Sequence, residues 1–402
     1  MPSEIALCLS GGGFRAALFH LGALRRLHEL RLLHEVSLVS SVSGGSILSG
    51  FFADVLVRSG APDSGKGFAE WLDDVDWEET VAAPFRAITA RDFRTVPVLK
   101  HLLWNWLVPG PRAADLERRY QRRISNLKLG ALPEHPRFVF CATDLTFGVN
   151  WEFDRDGAGD YQAGYLDEAR EWPLARAMAA SSCFPPIFGP MSVGTHSGYE
   201  KGNYRGADRE KLTKRILLTD GGVYDNLGLE PAWKDYASVL VSDCGAPFEF
   251  SAGKIPLRIL LRYTSVVMNQ AASLRKRMFF ERRRSGDYTG TYWSLASAAG
   301  DTDGGAAGYS RELVGERIAE IRTDLDAFTE AEQKVLENHG YFAANHSLTH
   351  YLKGRDVPAV VLDPPHPEWT DEAKVRSALA TSHRRISPSR WLQVIKDRRE
   401  KN

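Results

Sequence analysis

The sequence predicts an α/β fold with a central, mostly parallel sheet flanked by helices. Two observations carry this reading. Two strand–glycine turn–helix units follow each other within the first sixty residues, and strand-length apolar segments keep recurring between helical stretches as far as residue 261. Glu4 to Leu9 reads as a short apolar strand followed at once by Ser10-Gly11-Gly12-Gly13. Ala17, Leu18, Leu21, Leu24, Leu27 and Leu30 then recur at helical spacing, so a buried helix leaves the glycine turn. The second unit repeats this plan: Val36 to Val42 as strand, Ser43-Gly44-Gly45 as turn, and Ile47, Leu48, Phe51, Phe52, Val55 and Leu56 along a helix. Between residues 62 and 125 the composition changes. Trp71, Trp77, Phe85, Phe93, Trp104 and Trp106, with acidic residues crowding Glu70 to Glu79, predict a helical insertion over the sheet. Strands resume at Arg137 to Thr143 and Val149 to Phe153, and a helix at Leu174 to Ser181 precedes Pro185-Pro186. Further strands are expected at Arg215 to Thr219, Ser238 to Asp243 and Leu257 to Leu261. Residues 1–263 thus form the expected main domain, and 264–402 a mostly helical C-terminal extension with one β-like stretch, Tyr288 to Leu295.

Composition narrows the function. A chain of 402 residues is long enough for two or three domains, or for one large α/β unit. Its 51 basic and 51 acidic residues cancel, so contact with a polyanion must come from a local patch, and a nucleic-acid partner is not expected. Cys8, Cys141, Cys183 and Cys244 are widely spaced with no C-x-x-C pair, which argues against a disulfide scaffold or zinc ribbon and fits a reducing compartment. No run approaches the roughly 20 apolar residues of a spanning helix, and the amino terminus lacks the basic flank of a signal peptide. The expectation is a cytoplasmic chain with, at most, peripheral membrane contact.

Three motifs carry chemistry. In Gly11-Gly12-Gly13-Phe14-Arg15-Ala16, between strand and helix, residues without Cβ let consecutive amides point into one cavity, and the helix terminus favours negative charge there. Ser41-Val42-Ser43-Gly44-Gly45 has the layout of a nucleophile elbow, with small residues two before and two after the serine, although Ser41 stands where G-x-S-x-G has glycine. Asp220-Gly221-Gly222 ends a strand with a carboxylate that can accept a hydroxyl proton. Each motif has an ordinary structural counterpart as turn or helix cap. Together, in the order anion loop, serine, aspartate, they point to acyl transfer.

These motifs, with Ala142-Thr143-Asp144-Leu145 and Ala180-Ser181-Ser182-Cys183-Phe184-Pro185-Pro186 between them, resemble the patatin-like phospholipase family over roughly residues 4 to 262. The related cytosolic phospholipase A group shares the glycine-rich loop followed by Arg-Ala. The resemblance implies a three-layer α/β fold and a lipid acyl hydrolase with a Ser-Asp dyad, without histidine, metal or cofactor. Ser43 would be the nucleophile and Asp220 the base. The loop Gly11, Gly12, Gly13 and Arg15 would build the oxyanion hole from the amides around Gly12 and Gly13, with Arg15 bracing it. Ala16 replaces the last glycine of that loop motif.

Several rival readings exist. His339, His346 and His350 follow Asp220 in the order of a Ser-His-Asp esterase, and His346 and His350 also have the i, i+4 spacing of zinc ligands. Dinucleotide binding at the glycine loop would need an acidic ribose ligand, for which Glu29 and Glu35 lie near the expected offset. A regulatory lipid-binding protein with an idle site is the non-enzymatic alternative. Two segments could meet lipid: the apolar run Val96 to Val108, and Arg275 to Arg284, where six basic residues flank Phe279 and Phe280.

Overall fold

The computed structural model describes residues 4–61, 67–93, 113–185, 187–194, 198–245, 256–301 and 308–383. The strands are β1 (Ile5–Leu9), β2 (Val36–Val42), β3 (Arg137–Asp144), β4 (Val149–Asp154), β5 (Gly157–Asp160), β6 (Gly164–Leu166), β7 (Met191–Val193), β8 (Ile216–Asp220), β9 (Ser238–Asp243) and β10 (Tyr292–Ser294). They form one mixed sheet in the order β10-β9-β1-β2-β3-β4-β5-β6, with β8 joined to β3 and β7 to β8. From β10 to β3 every pairing is parallel, and the α/β expectation holds there; β4 to β8 are added antiparallel.

The helices that matter for the site are α1 (Gly13–Glu29), α2 (Gly44–Arg58), α3 (Phe68–Asp74), α4 (Ala83–Thr89), α5 (Ala113–Arg123), α6 (Leu174–Ser182), α7 (Pro256–Ser285) and α8 (Glu330–Tyr351). The sheet is apolar on both faces, as a covered parallel sheet must be. Along β1, Ile5, Leu7 and Leu9 enter the larger core with α1, α2, α6 and α8, while Ala6 and Cys8 face a smaller one that includes Phe279 of α7. This is the three-layer arrangement. The described aromatic residues Trp71, Trp77, Phe85 and Phe93 of the insertion are core members: Phe93 packs edge-on against Phe14 of α1, and Trp77 stacks on His28. Trp104, Trp106 and the run 96–108 lie outside the described residues.

One strand expectation is corrected. Leu257 to Leu261 is not a strand but the first turns of α7, a thirty-residue helix. Four apolar residues around Arg258 fit either state; Pro256, which suits a first helical turn, belongs with the helix. The β-like stretch at 288–295 contracts to β10, which pairs in parallel with β9 and extends the sheet. The expected boundary at 263/264 falls inside α7, and the later chain is built into the main core. Its α8 crosses α1 so closely that a Cβ on Gly22 would lie 1.8 Å from the Glu337 carbonyl oxygen, and one on Gly340 1.8 Å from that of Phe19.

Gly340→Ala therefore forces these two helices apart and should destabilise the protein by about 1–3 kcal/mol or more, despite alanine's better helix propensity. Urea unfolding followed by tryptophan fluorescence checks this, and an unchanged midpoint would contradict the crossing.

Candidate active site

Strand register brings residues 43 and 220 together. On one edge of β3, β2 pairs up to Val42 opposite Cys141, and β8, running the other way, ends with Asp220 opposite the next residue, Ala142. The carboxyl ends of β2 and β8 thus meet along a single strand. Ser43 follows β2 immediately, with φ 51° and ψ −113°, a left-handed backbone unusual for a residue with a Cβ and characteristic of a strained elbow. The turn fits because Gly44 and Gly45 press on other backbone: a Cβ would come within 2.1 Å of the Gly13 carbonyl oxygen and 2.4 Å of that of Leu9, respectively. Ser41 is accommodated at the glycine position by donating to the Val139 carbonyl, 3.3 Å.

Ser181 of α6 fastens this junction. Its hydroxyl accepts the Ser43 amide proton at 2.9 Å and donates to the Cys141 carbonyl at 2.6 Å, and its own carbonyl accepts from the Gly221 amide. Thr143 fixes the other side by donating to the Asp220 carbonyl. In the sequence Ser181 stands out only as part of the family-like stretch Ala180 to Pro186, with no role attached to it.

The glycine loop lies over the serine, with Gly11 in contact with the Ser43 side chain's surroundings: a Cβ there would be 3.0 Å from Ser43 Cβ. The Gly11 amide is occupied by the Asn226 carbonyl. The amides of Gly12 (φ 144°) and Gly13 (φ 61°) donate to no backbone carbonyl among the described residues. Arg15 faces away from the cavity. Its guanidinium donates to the carbonyls of Ala319, Ile321 and Cys244, and so ties the loop to the chain end of β9 and to the C-terminal region. Behind the loop, His20 bridges the Ser10 carbonyl and the Ser242 hydroxyl; burial lowers its pKa to about 4, so it is a neutral brace.

Asp220 is 1% exposed. Its Oδ1 accepts the Gly222 amide proton at 2.8 Å. Burial pushes the carboxyl pKa up to about 7, against the opposing pull of the Ser43 hydroxyl and the Gly222 amide. The serine is near enough to act on the carboxyl, yet Oδ2 has no partner at full hydrogen-bond geometry. Its acceptor capacity is unspent.

Ser43, Asp220, Gly11, Gly12 and Gly13 all line one cavity of about 570 Å³. Phe184, Ile187, Phe188, Met268 and Leu325 supply apolar wall, and Asn226, Asp243 and Lys276 polar wall. No histidine lines it among the described residues. His339 is buried in α8 with Nε2 on the Leu295 carbonyl, and His346 and His350 lie against each other as a tilted ring pair at the far end of that helix. No described cluster of His, Cys, Asp and Glu could hold a metal ion. Glu29 pairs with Arg25 and Arg26, and Glu35 with Arg355, so neither waits for a ribose. Of the basic segment of α7, Arg275 pairs with Asp225 and Glu230, and Lys276 with Asp243.

The human GIVD cytosolic phospholipase A2 structure superposes with a TM-score of 0.50 at 14% identity, over 95% of this chain and 61% of that one, so this chain spans about three-fifths of its length. The same enzyme with a fluorophosphonate inhibitor and terbium gives 0.47 at 13% identity over 95% and 60%. VipD from Legionella pneumophila gives 0.39 at 12% identity over 100% and 78%. At such identities the likeness is one of fold. No curated protein matches the sequence. The family model for patatin-like phospholipase matches residues 7–233, from β1 past the Asp220 turn and over more than half of the 402 residues: the chain belongs to the patatin-like phospholipase family.

Proposed function

We propose that this protein is a serine-dependent lipid acyl hydrolase of phospholipase A or lysophospholipase type, working with a Ser43–Asp220 dyad. The observation that carries this reading is the strained Ser43 elbow beside a buried carboxyl with an unspent acceptor oxygen, both in a cavity with a partly apolar wall. Ser43 Oγ attacks the ester carbonyl carbon while Asp220 takes its proton, and the carbonyl oxygen becomes an oxyanion facing the Gly12 and Gly13 amides. Collapse of this intermediate expels the alcohol, which leaves with the proton from Asp220. Water, deprotonated by Asp220, then releases the fatty acid from the acyl-serine. Arg15 is a positioning residue that holds the amide cup through three carbonyls. The chemistry needs no cofactor, and the substrate is a lipid ester in the cytoplasm or at a membrane surface.

Burial supports the role of Asp220, because an aspartate near its ordinary pKa of 3.9 is a weak base, whereas one near 7 matches the medium better. Removing an oxyanion donor typically raises a barrier by about 3–4 kcal/mol, so the amide cup supplies a large share of the acceleration.

Ser43→Ala and Asp220→Asn should each reduce hydrolysis of a soluble short-chain ester by about a thousandfold or more while leaving circular dichroism unchanged. Near-normal turnover by a folded Ser43→Ala protein would reject the dyad. Because Asp220 must be ionised to accept the proton, kcat/KM for that ester should rise with pH through a midpoint near 7 and level off above it. A profile already flat at pH 5 would exclude this base. The same burial makes the charge costly: with a folded pKa above the unfolded one, the stability present at low pH is lost as pH rises through about 7. Asp220→Asn should therefore raise the melting temperature more at pH 8 than at pH 5.

A further inference from the structure

One face of α7 helps to close the cavity, through Met268, Asn269, Ala272 and Lys276. The opposite face carries large apolar side chains into water: Tyr263 is 65% exposed, Val267 67% and Leu274 58%, with Val266 beside them. Spacings of four and seven residues put the first three in one stripe along the helix. The helix is also strongly basic within a chain of zero net charge, with eight Lys and Arg against Glu281 alone. Part of that charge is neutralised by Asp225, Glu230 and Asp243. Arg277, exposed and three residues after Leu274, has no carboxylate partner among the described residues. Arg282 donates to the Trp233 carbonyl and the Tyr288 hydroxyl and lies over both rings, and Arg283 donates to the Gly290 and Tyr351 carbonyls, so neither is paired with a carboxylate among the described residues.

We propose that the outer face of α7 is an interfacial docking surface for an anionic phospholipid membrane, seating the wall of the catalytic cavity against the lipid that supplies its substrate. The inference rests on the hydrolase reading for the identity of that substrate. An apolar stripe bordered by the unpaired Arg277, on a helix rich in arginine, matches acyl chains bordered by anionic headgroups. A polynucleotide would satisfy the charge but leave Val267 and Leu274 in water. A second copy of the chain would bring two positive helices face to face.

The test uses the full-length Ser43→Ala protein, which leaves the lipid intact, sedimented with vesicles of phosphatidylcholine alone or of equal parts phosphatidylcholine and phosphatidylglycerol. Binding should favour the anionic vesicles, and Val267→Asp with Leu274→Asp should weaken it by about tenfold or more. The milder pair Val267→Ser with Leu274→Ser should move binding in the same direction. With Ser43 present, both pairs should leave soluble-ester hydrolysis unchanged, because neither residue lines the cavity. Equal vesicle binding by wild type and both variants would overturn the proposal, as would a solution dimer dissociated by the substitutions, or RNA binding lost with them while vesicle binding persists. Because the vesicle measurement is independent of turnover, an active Ser43→Ala protein would sink the dyad and leave the docking result interpretable.

Discussion

The site depends on an exchange of partners along one edge of β3. Its first half is paired by β2 and its last residues by β8, so two strands that run in opposite directions end nose to nose at Cys141 and Ala142. Backbone hydrogen bonds, rather than the two side chains, set the separation of Ser43 and Asp220. The attractive interaction between a neutral hydroxyl and a buried carboxyl is too weak to hold such a geometry against the strain of a left-handed serine. The sheet, Ser181 and the tightly apposed glycine backbones provide that constraint.

Much of the parallel core was readable because its strands are apolar on both faces and the first two, β1 and β2, are each followed by a glycine turn and a helix. The Ser43 and Asp220 turns were readable as motifs for the same reason: special backbone geometry demands small residues at fixed offsets. What sequence could not supply was mutual placement. The opposite direction of β8 has no local signature, since Ile216–Asp220 looks the same in either orientation. Nor did the loop motif reveal that the Gly11 amide is taken by Asn226, or that Arg15 points backwards to the carbonyls of Ala319 and Ile321, three hundred residues away. The start of α7 resembles a strand in sequence because Leu257 to Leu261 is too short to carry a period that separates helix from strand.

The C-terminal chain is the least expected part of the architecture. It had the composition of an appendage, yet it gives an edge strand, a helix laid across α1 through paired glycines, the carbonyls that hold Arg15, and part of the cavity wall. The network around Glu337, which receives Arg86 from the insertion and His366 from the far end of the chain, joins two segments that both looked peripheral in the sequence.

This arrangement separates the stretch by which the family is recognised from the stretch that can exist alone. A fragment ending at residue 233, where the recognisable region stops, would lack both β9 and β10. β1, apolar on both sides, would then become a bare sheet border with unpaired amides and carbonyls, the kind of surface that recruits other chains into aggregates. Shortened versions of this protein should therefore expose β1 and aggregate unless residues 234–402 travel with them.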